Sequence, residues 1–115
     1  MHPRWPQPAL RRYCAQQGIA VVAYAPLGCG DLPGRPQAQR AGQLSGLTPA
    51  QALLRWALQA GCAVVPKSCQ PARVREWAPA ALLGGGSALG PEATAELDGL
   101  AAEPHKYCWD PSAVA

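Results

Sequence analysis

The groups with the widest chemical reach are five thiols, at Cys14, Cys29, Cys62, Cys69 and Cys108. Their spacing contains no CxxC and no repeat, so neither a dithiol redox motif nor a cysteine zinc site is written into it. His2 and His105 are too isolated to complete one. An odd number of cysteines without a secretory leader points to free thiols in a reducing compartment. Cys14, Cys62 and Cys69 read as small buried or loop residues, and nothing marks any of them as a nucleophile. Taken singly, Lys67 and Arg73 are solvated surface charges. Tyr24 is a core residue at a strand end, and Trp56 at helical spacing is core packing.

Charge excludes some partners. Ten Lys and Arg against seven Asp and Glu leave +3 over 115 residues. The excess is scattered, with Arg11-Arg12 and Arg73/Arg75 as the tight basic pairs. A nucleic-acid surface needs a basic stripe, so no nucleic-acid partner is expected. No apolar run reaches the length of a membrane span, and Met-His-Pro-Arg-Trp-Pro has no secretory apolar region. No membrane association is expected, and the expected location is cytoplasmic. Hydrophobic residues at 49% against 15% charged argue for a folded chain. Its core rests on Leu, Val and Ala, because there is no Phe.

The elements that would position these groups alternate. Residues 8–17 predict a helix, with Pro8 near its start, Gly18 just past its end, and Leu10, Tyr13 and Cys14 on one face. The unbroken apolar run Ile19 to Tyr24 predicts a strand covered on both faces, as in a parallel sheet. Pro26 to Gly46 has no periodicity and reads as a long loop. Thr48-Pro49-Ala50-Gln51 is a capping box that opens a helix, with Ala50, Leu53, Leu54, Ala57 and Leu58 inward, ending at Gly61. Cys62 to Val65 predicts a second buried strand, stopped by Pro66. A helix runs from Pro71 to Leu83, ended by Gly84-Gly85-Gly86. A last helix starts at Pro91 with Ala93, Leu97 and Leu100 inward, and Glu103 to Ala115 is an irregular tail. This order implies an α/β fold with right-handed crossovers, yet two strands cannot cover this many helices.

Several segments carry a resemblance. His2-Pro3 with Gln7, Leu10 and Tyr13-Cys14, then Ala23-Tyr24-Ala25-Pro26-Leu27-Gly28, are the first two. Thr48-Pro49-Ala50-Gln51 with Leu54-Arg55-Trp56 and Gln59-x-Gly61 is the third. Val65-Pro66-Lys67-Ser68 ahead of Arg73 is the fourth, and Tyr107-Cys108-Trp109-Asp110-Pro111 the last. In this order and spacing they resemble the C-terminal part of an aldo-keto reductase, with a tail similar to plant-like members. The resemblance implies the C-terminal part of a (β/α)8 TIM barrel, incomplete, over 1–102 with a long loop at 29–47, followed by a tail at 103–115. It implies NADPH as cofactor and, in the intact parent, a small carbonyl substrate reduced to an alcohol. Tyr24 would stack on the nicotinamide, and Leu27 and Gly28 would approach the pyrophosphate through backbone N–H groups. Lys67, Ser68 and Arg73 would hold the 2′-phosphate, and Glu76 would stand by the adenine. A guanidinium fits a phosphate dianion by its fork, and Lys adds a point charge.

The chain also departs from that pattern. Ala25 stands where the family has Ser, and Trp77 replaces an Asn that contacts adenine. Leu82 to Leu89 carries a Gly-rich insertion, so the last barrel strand is expected to be distorted or absent. A complete barrel takes about 250 residues. No residue matches the family's catalytic Asp, Tyr, Lys and His, and Tyr13 and Tyr107 sit in contexts that match other positions. The chain is therefore expected to be inactive alone. The alternatives are a non-catalytic interaction protein that pairs its open barrel edges with another chain, and an unstable product without function.

Overall fold

Proline decides where helices begin. The computed structural model describes residues 1–84 and 88–108, and each of their six α-helices opens on Pro. Proline's fixed φ suits the first helical turn, where its missing N–H has no intrahelical partner to lose. In chain order the elements are α1 (Pro8–Gln16), β1 (Val21–Ala23), α2 (Pro36–Ser45), α3 (Pro49–Gln59) and β2 (Cys62–Val64). Then come α4 (Pro71–Glu76), α5 (Pro79–Leu83) and α6 (Pro91–Asp98). Short 3₁₀ turns occupy Gly28–Gly30, Leu32–Gly34 and Gly99–Ala102.

β1 and β2 pair in parallel, with Val21 opposite Cys62, Val22 opposite Ala63 and Ala23 opposite Val64. α2 and α3 lie in the crossover between them, as a parallel pair requires. α3 is the centre of the core. Its capping box forms as the sequence predicts: the Gln51 N–H donates to Thr48 Oγ1 at 3.2 Å, and the Thr48 N–H donates to Gln51 Oε1 at 3.1 Å. Leu53, Leu54, Trp56 and Ala57 are buried on it, together with Ala52 and the charged Arg55. Ala50 and Leu58, expected inward, are only partly buried. Trp56 Nε1 donates to Asp98 at 2.7 Å, and Arg55 Nε donates to the Leu82 carbonyl at 2.5 Å. The polar ends of both side chains therefore stay satisfied while their bodies are buried. α6 turns Ala93 and Leu97 inward, with Leu100 following in the 3₁₀ turn, as expected.

Four expectations are corrected. The predicted loop after Pro26 contains α2, which escapes periodicity because its buried face is only Ala38, Ala41 and Gly42. A Cβ at Gly42 would stand 2.7 Å from the Leu47 carbonyl oxygen, so the helix needs Gly to pack on its own exit turn. The helix expected from Pro71 to Leu83 is broken into α4 and α5 at Trp77-Ala78, where Pro79 cannot accept the preceding helical geometry. The strands are shorter than their apolar runs, and they are not covered on both faces. Ile19, Val22, Tyr24 and Val65 are 50–68% exposed. Finally, Leu10 and Tyr13 on α1 are exposed, and of that face only Cys14 is buried. Both outer edges of the two-stranded sheet are unpaired among the described residues. The Gly85–Gly86 part of the insertion and the tail from Trp109 lie outside the described residues.

Candidate functional site

β1 and β2 run side by side, so the segments that leave their C-terminal ends emerge together. Tyr24 to Gly30 follows β1 and Val65 to Gln70 follows β2. Between them lies a cavity of about 830 Å³, closed on a third side by the start of α3 and by α4. Tyr24, Leu27, Lys67, Ser68, Arg73 and Glu76, six of the seven residues singled out in the sequence, line it. Tyr24 is 68% exposed there, which overturns the reading of a core tyrosine.

Lys67 and Arg73 are both exposed, and neither has a carboxylate partner among the described residues. Lys67 Nζ lies 3.0 Å from Cys69 Sγ, and this contact holds its ammonium above the usual lysine range. Ser68 Oγ accepts from the Gln70 N–H at 3.0 Å, so its hydroxyl is fixed while its proton can still be donated. Glu76 is oriented by α3: the Thr48 hydroxyl donates to its carboxylate, and Gln51 Nε2 donates to its carbonyl at 3.0 Å. The capping box thus has a second task, since the same Thr48 and Gln51 that start α3 hold the end of α4.

Gly28 lies off the cavity wall. Its N–H donates to the Ala25 carbonyl at 3.0 Å and is not available to a ligand. At φ 56, a Cβ would fall 2.7 Å from both Leu32 Cγ and Tyr107 Cε2. The glycine is there to admit the Tyr107 ring. That ring is held in turn, its hydroxyl donating to Asp31 while Arg4 donates to it at 3.2 Å. The Tyr107 hydroxyl first, and then the Arg35 guanidinium at 2.9 Å, keep the Asp31 carboxyl below the usual range.

Sequence reasoning missed several wall residues. Trp77 was read only as a lost amide, yet its indole forms part of the wall. Its position directly after Glu76 was the available signal. Cys29, Cys69 and Cys108 also reach the cavity, from three different segments. Nothing in their spacing could have predicted this. A second cavity of about 450 Å³ adjoins Tyr24 and is lined by His2, Trp5 and Tyr107 among others. His2 is buried, and burial, with the neighbouring positive charges second, pushes its imidazole down to about 4.

No family model matches the chain. Individual proteins do. An aldo-keto reductase of Mycobacterium sp. (strain KMS) is 46% identical over 74 residues, 64% of this chain and 27% of the relative. The solved aldose reductase from Schistosoma japonicum superposes with a TM-score of 0.77 at 32% identity, over 92% of this chain and 33% of that one. A structure of Gox0644 in complex with NADPH gives a TM-score of 0.75 at 30% identity, over 87% of this chain and 35% of that one. The chain spans roughly a quarter to a third of the length of these relatives. No helix among the described residues is long and apolar enough to cross a membrane. By sequence and by structure alike, the chain is related to the aldo-keto reductases and is an incomplete α/β portion of their (β/α)8 barrel.

Proposed function

We propose that the large cavity is part of an NADPH site, and that the chain is the C-terminal portion of an NADPH-dependent reductase of aldehydes or ketones. One observation carries this reading: two cations without a carboxylate partner among the described residues, Lys67 and Arg73, and the fixed hydroxyl of Ser68 share a cavity wall with an exposed aromatic ring, Tyr24. The donor set fits the cofactor. Lys67, Ser68 and Arg73 would hold the 2′-phosphate, and Glu76, fixed by Thr48, would face the adenine amine with the Trp77 indole beside it. Leu27 and the turn after it would face the pyrophosphate, with Gly28 serving to seat Tyr107. Tyr24 would cover the nicotinamide. When bound, NADPH supplies a hydride to the carbonyl carbon, and the reaction then needs a proton donor at the carbonyl oxygen.

This chain offers none in that position, because the family's Asp, Tyr, Lys and His have no counterpart in it. Binding without turnover is therefore the expected behaviour of the isolated chain, and the binding is weak because much of the cradle lies on other strands. Substituting Arg73→Ala or Lys67→Ala should weaken NADPH binding, measured by cofactor fluorescence, by roughly tenfold, or about 1.4 kcal/mol. NADH binding should be unaffected by either substitution. Equal losses for both cofactors would remove the 2′-phosphate from the assignment.

A second reading has its own support in the exposed apolar face of the sheet. Val22 stands on β1, and Ile19 and Val65 flank the two strands, whose outer edges are unpaired among the described residues, the arrangement that invites strand addition. In this reading the chain works by docking onto another chain that supplies the neighbouring strands. Sedimentation at increasing concentration, with Val22→Lys as control, separates it from a self-contained monomer.

A further inference from the structure

We propose that Cys29 and Cys108 form a reversible disulfide that latches the C-terminal segment onto the turn after β1, at the rim of the large cavity. The two cysteines are 79 positions apart, but the residues flanking them are tied together. On one side of Cys29, the Tyr107 ring rests on Gly28 so closely that a Cβ there would stand 2.7 Å from it. On the other side, Asp31 accepts from the Tyr107 hydroxyl and is itself braced by Arg35 at 2.9 Å. Tyr107 immediately precedes Cys108, so both anchors deliver one thiol to the other. Cys29 Sγ donates at 4.0 Å to the carbonyl oxygen of Tyr107, the residue bonded to Cys108. Cys29 is exposed, and Cys108 is half-buried on the same cavity wall.

Cys69, the third thiol on this cavity, is engaged elsewhere, 3.0 Å from Lys67 Nζ. Desolvation first, and the neighbouring Cys108 second, push the Cys29 thiol up. With a peroxide the step balances. The Cys108 sulfur attacks the O–O bond, its proton leaves with the expelled oxygen as water, and a sulfenic acid forms. The Cys29 sulfur then attacks that sulfur and loses its proton. An S–S bond forms, and the sulfenic oxygen leaves as a second water. Two thiols are oxidised and one peroxide is reduced. A thiol reductant reverses the bond by exchange. The latch does not depend on which ligand the cavity takes.

The 115-residue chain, treated with a slight excess of hydrogen peroxide, should lose two of its five titratable thiols and regain them in dithiothreitol. Peptide mapping of the unreduced protein should recover a peptide containing Cys29 linked to one containing Cys108. Cys69→Ser should leave that loss unchanged, whereas Cys29→Ser and Cys108→Ser should each abolish it. The mapping uses the unsubstituted protein, so it decides the matter even if a variant fails to fold. Five thiols surviving the peroxide, a bond to Cys69, or a bond only between two copies of the chain would each overturn the proposal.

Discussion

His2 illustrates how one side chain couples burial to pH. It is 3% exposed, stacks edge-on with Tyr107 at 5.0 Å between ring centroids, and has no partner at Nδ1 among the described residues. Its imidazole is pushed down from 6.5 to about 4, so the folded state refuses a proton that the unfolded chain accepts. Stability contributed by this group is therefore present above about pH 6.5 and is lost as pH falls through 6 and 5 towards 4. Urea unfolding at pH 7 and at pH 4.5 should show that loss, and His2→Gln should reduce its slope. An identical slope in the variant would assign the acid sensitivity to other groups. At this scale six of the seven residues singled out in the sequence line one cavity. Lys67, Ser68 and Arg73 announced themselves by their order after Val65-Pro66. Gly28 was singled out for a backbone N–H toward the pyrophosphate, but that N–H is engaged by the Ala25 carbonyl, and the glycine's close contact is with Tyr107, which spacing along the chain cannot reveal.

Among the elements, α3 is where local signals and tertiary packing agree, and where the fold was read most fully. Thr48, Pro49 and Gln51 set its start, and its apolar positions mark its burial. Thr48 also donates to Glu76, so the cap ties α3 to the end of α4. Thr48→Ala should cost about 1 kcal/mol, within the range for losing a threonine cap, read as a lower urea midpoint at unchanged slope. Thr48→Ser should restore most of it, and an unchanged midpoint in the alanine variant would show that the cap contributes nothing. α2 was not read at all. Its inward side chains are Ala and Gly, whose burial leaves no large-apolar stripe, and only Pro36 and Gly46 mark its ends. The break between α4 and α5 was legible in Pro79, but the continuing run of Ala and Leu hid it. The strands were placed correctly and over-covered, because a run apolar on both faces records what the whole barrel buries.

At the scale of the molecule, the proposed function gives the chain the binding end of a reductase site without its reacting end. The outer edges of β1 and β2, unpaired among the described residues, are where further strands of a barrel would add. Purified chain supplied with NADPH and a panel of aldehydes should oxidise no cofactor above the buffer rate. Turnover abolished by a single substitution within this chain would mean that it carries a proton donor of its own. Binding is the more direct question. Amide chemical shifts of the labelled chain, followed by NMR during titration with NADPH and separately with NADH, map contacts even when they are weak. NADPH should shift Lys67, Ser68 and Arg73 in a saturable way, while NADH leaves these three unmoved. Equal shifts from both cofactors, or shifts confined to residues outside the cavity, would contradict the assignment.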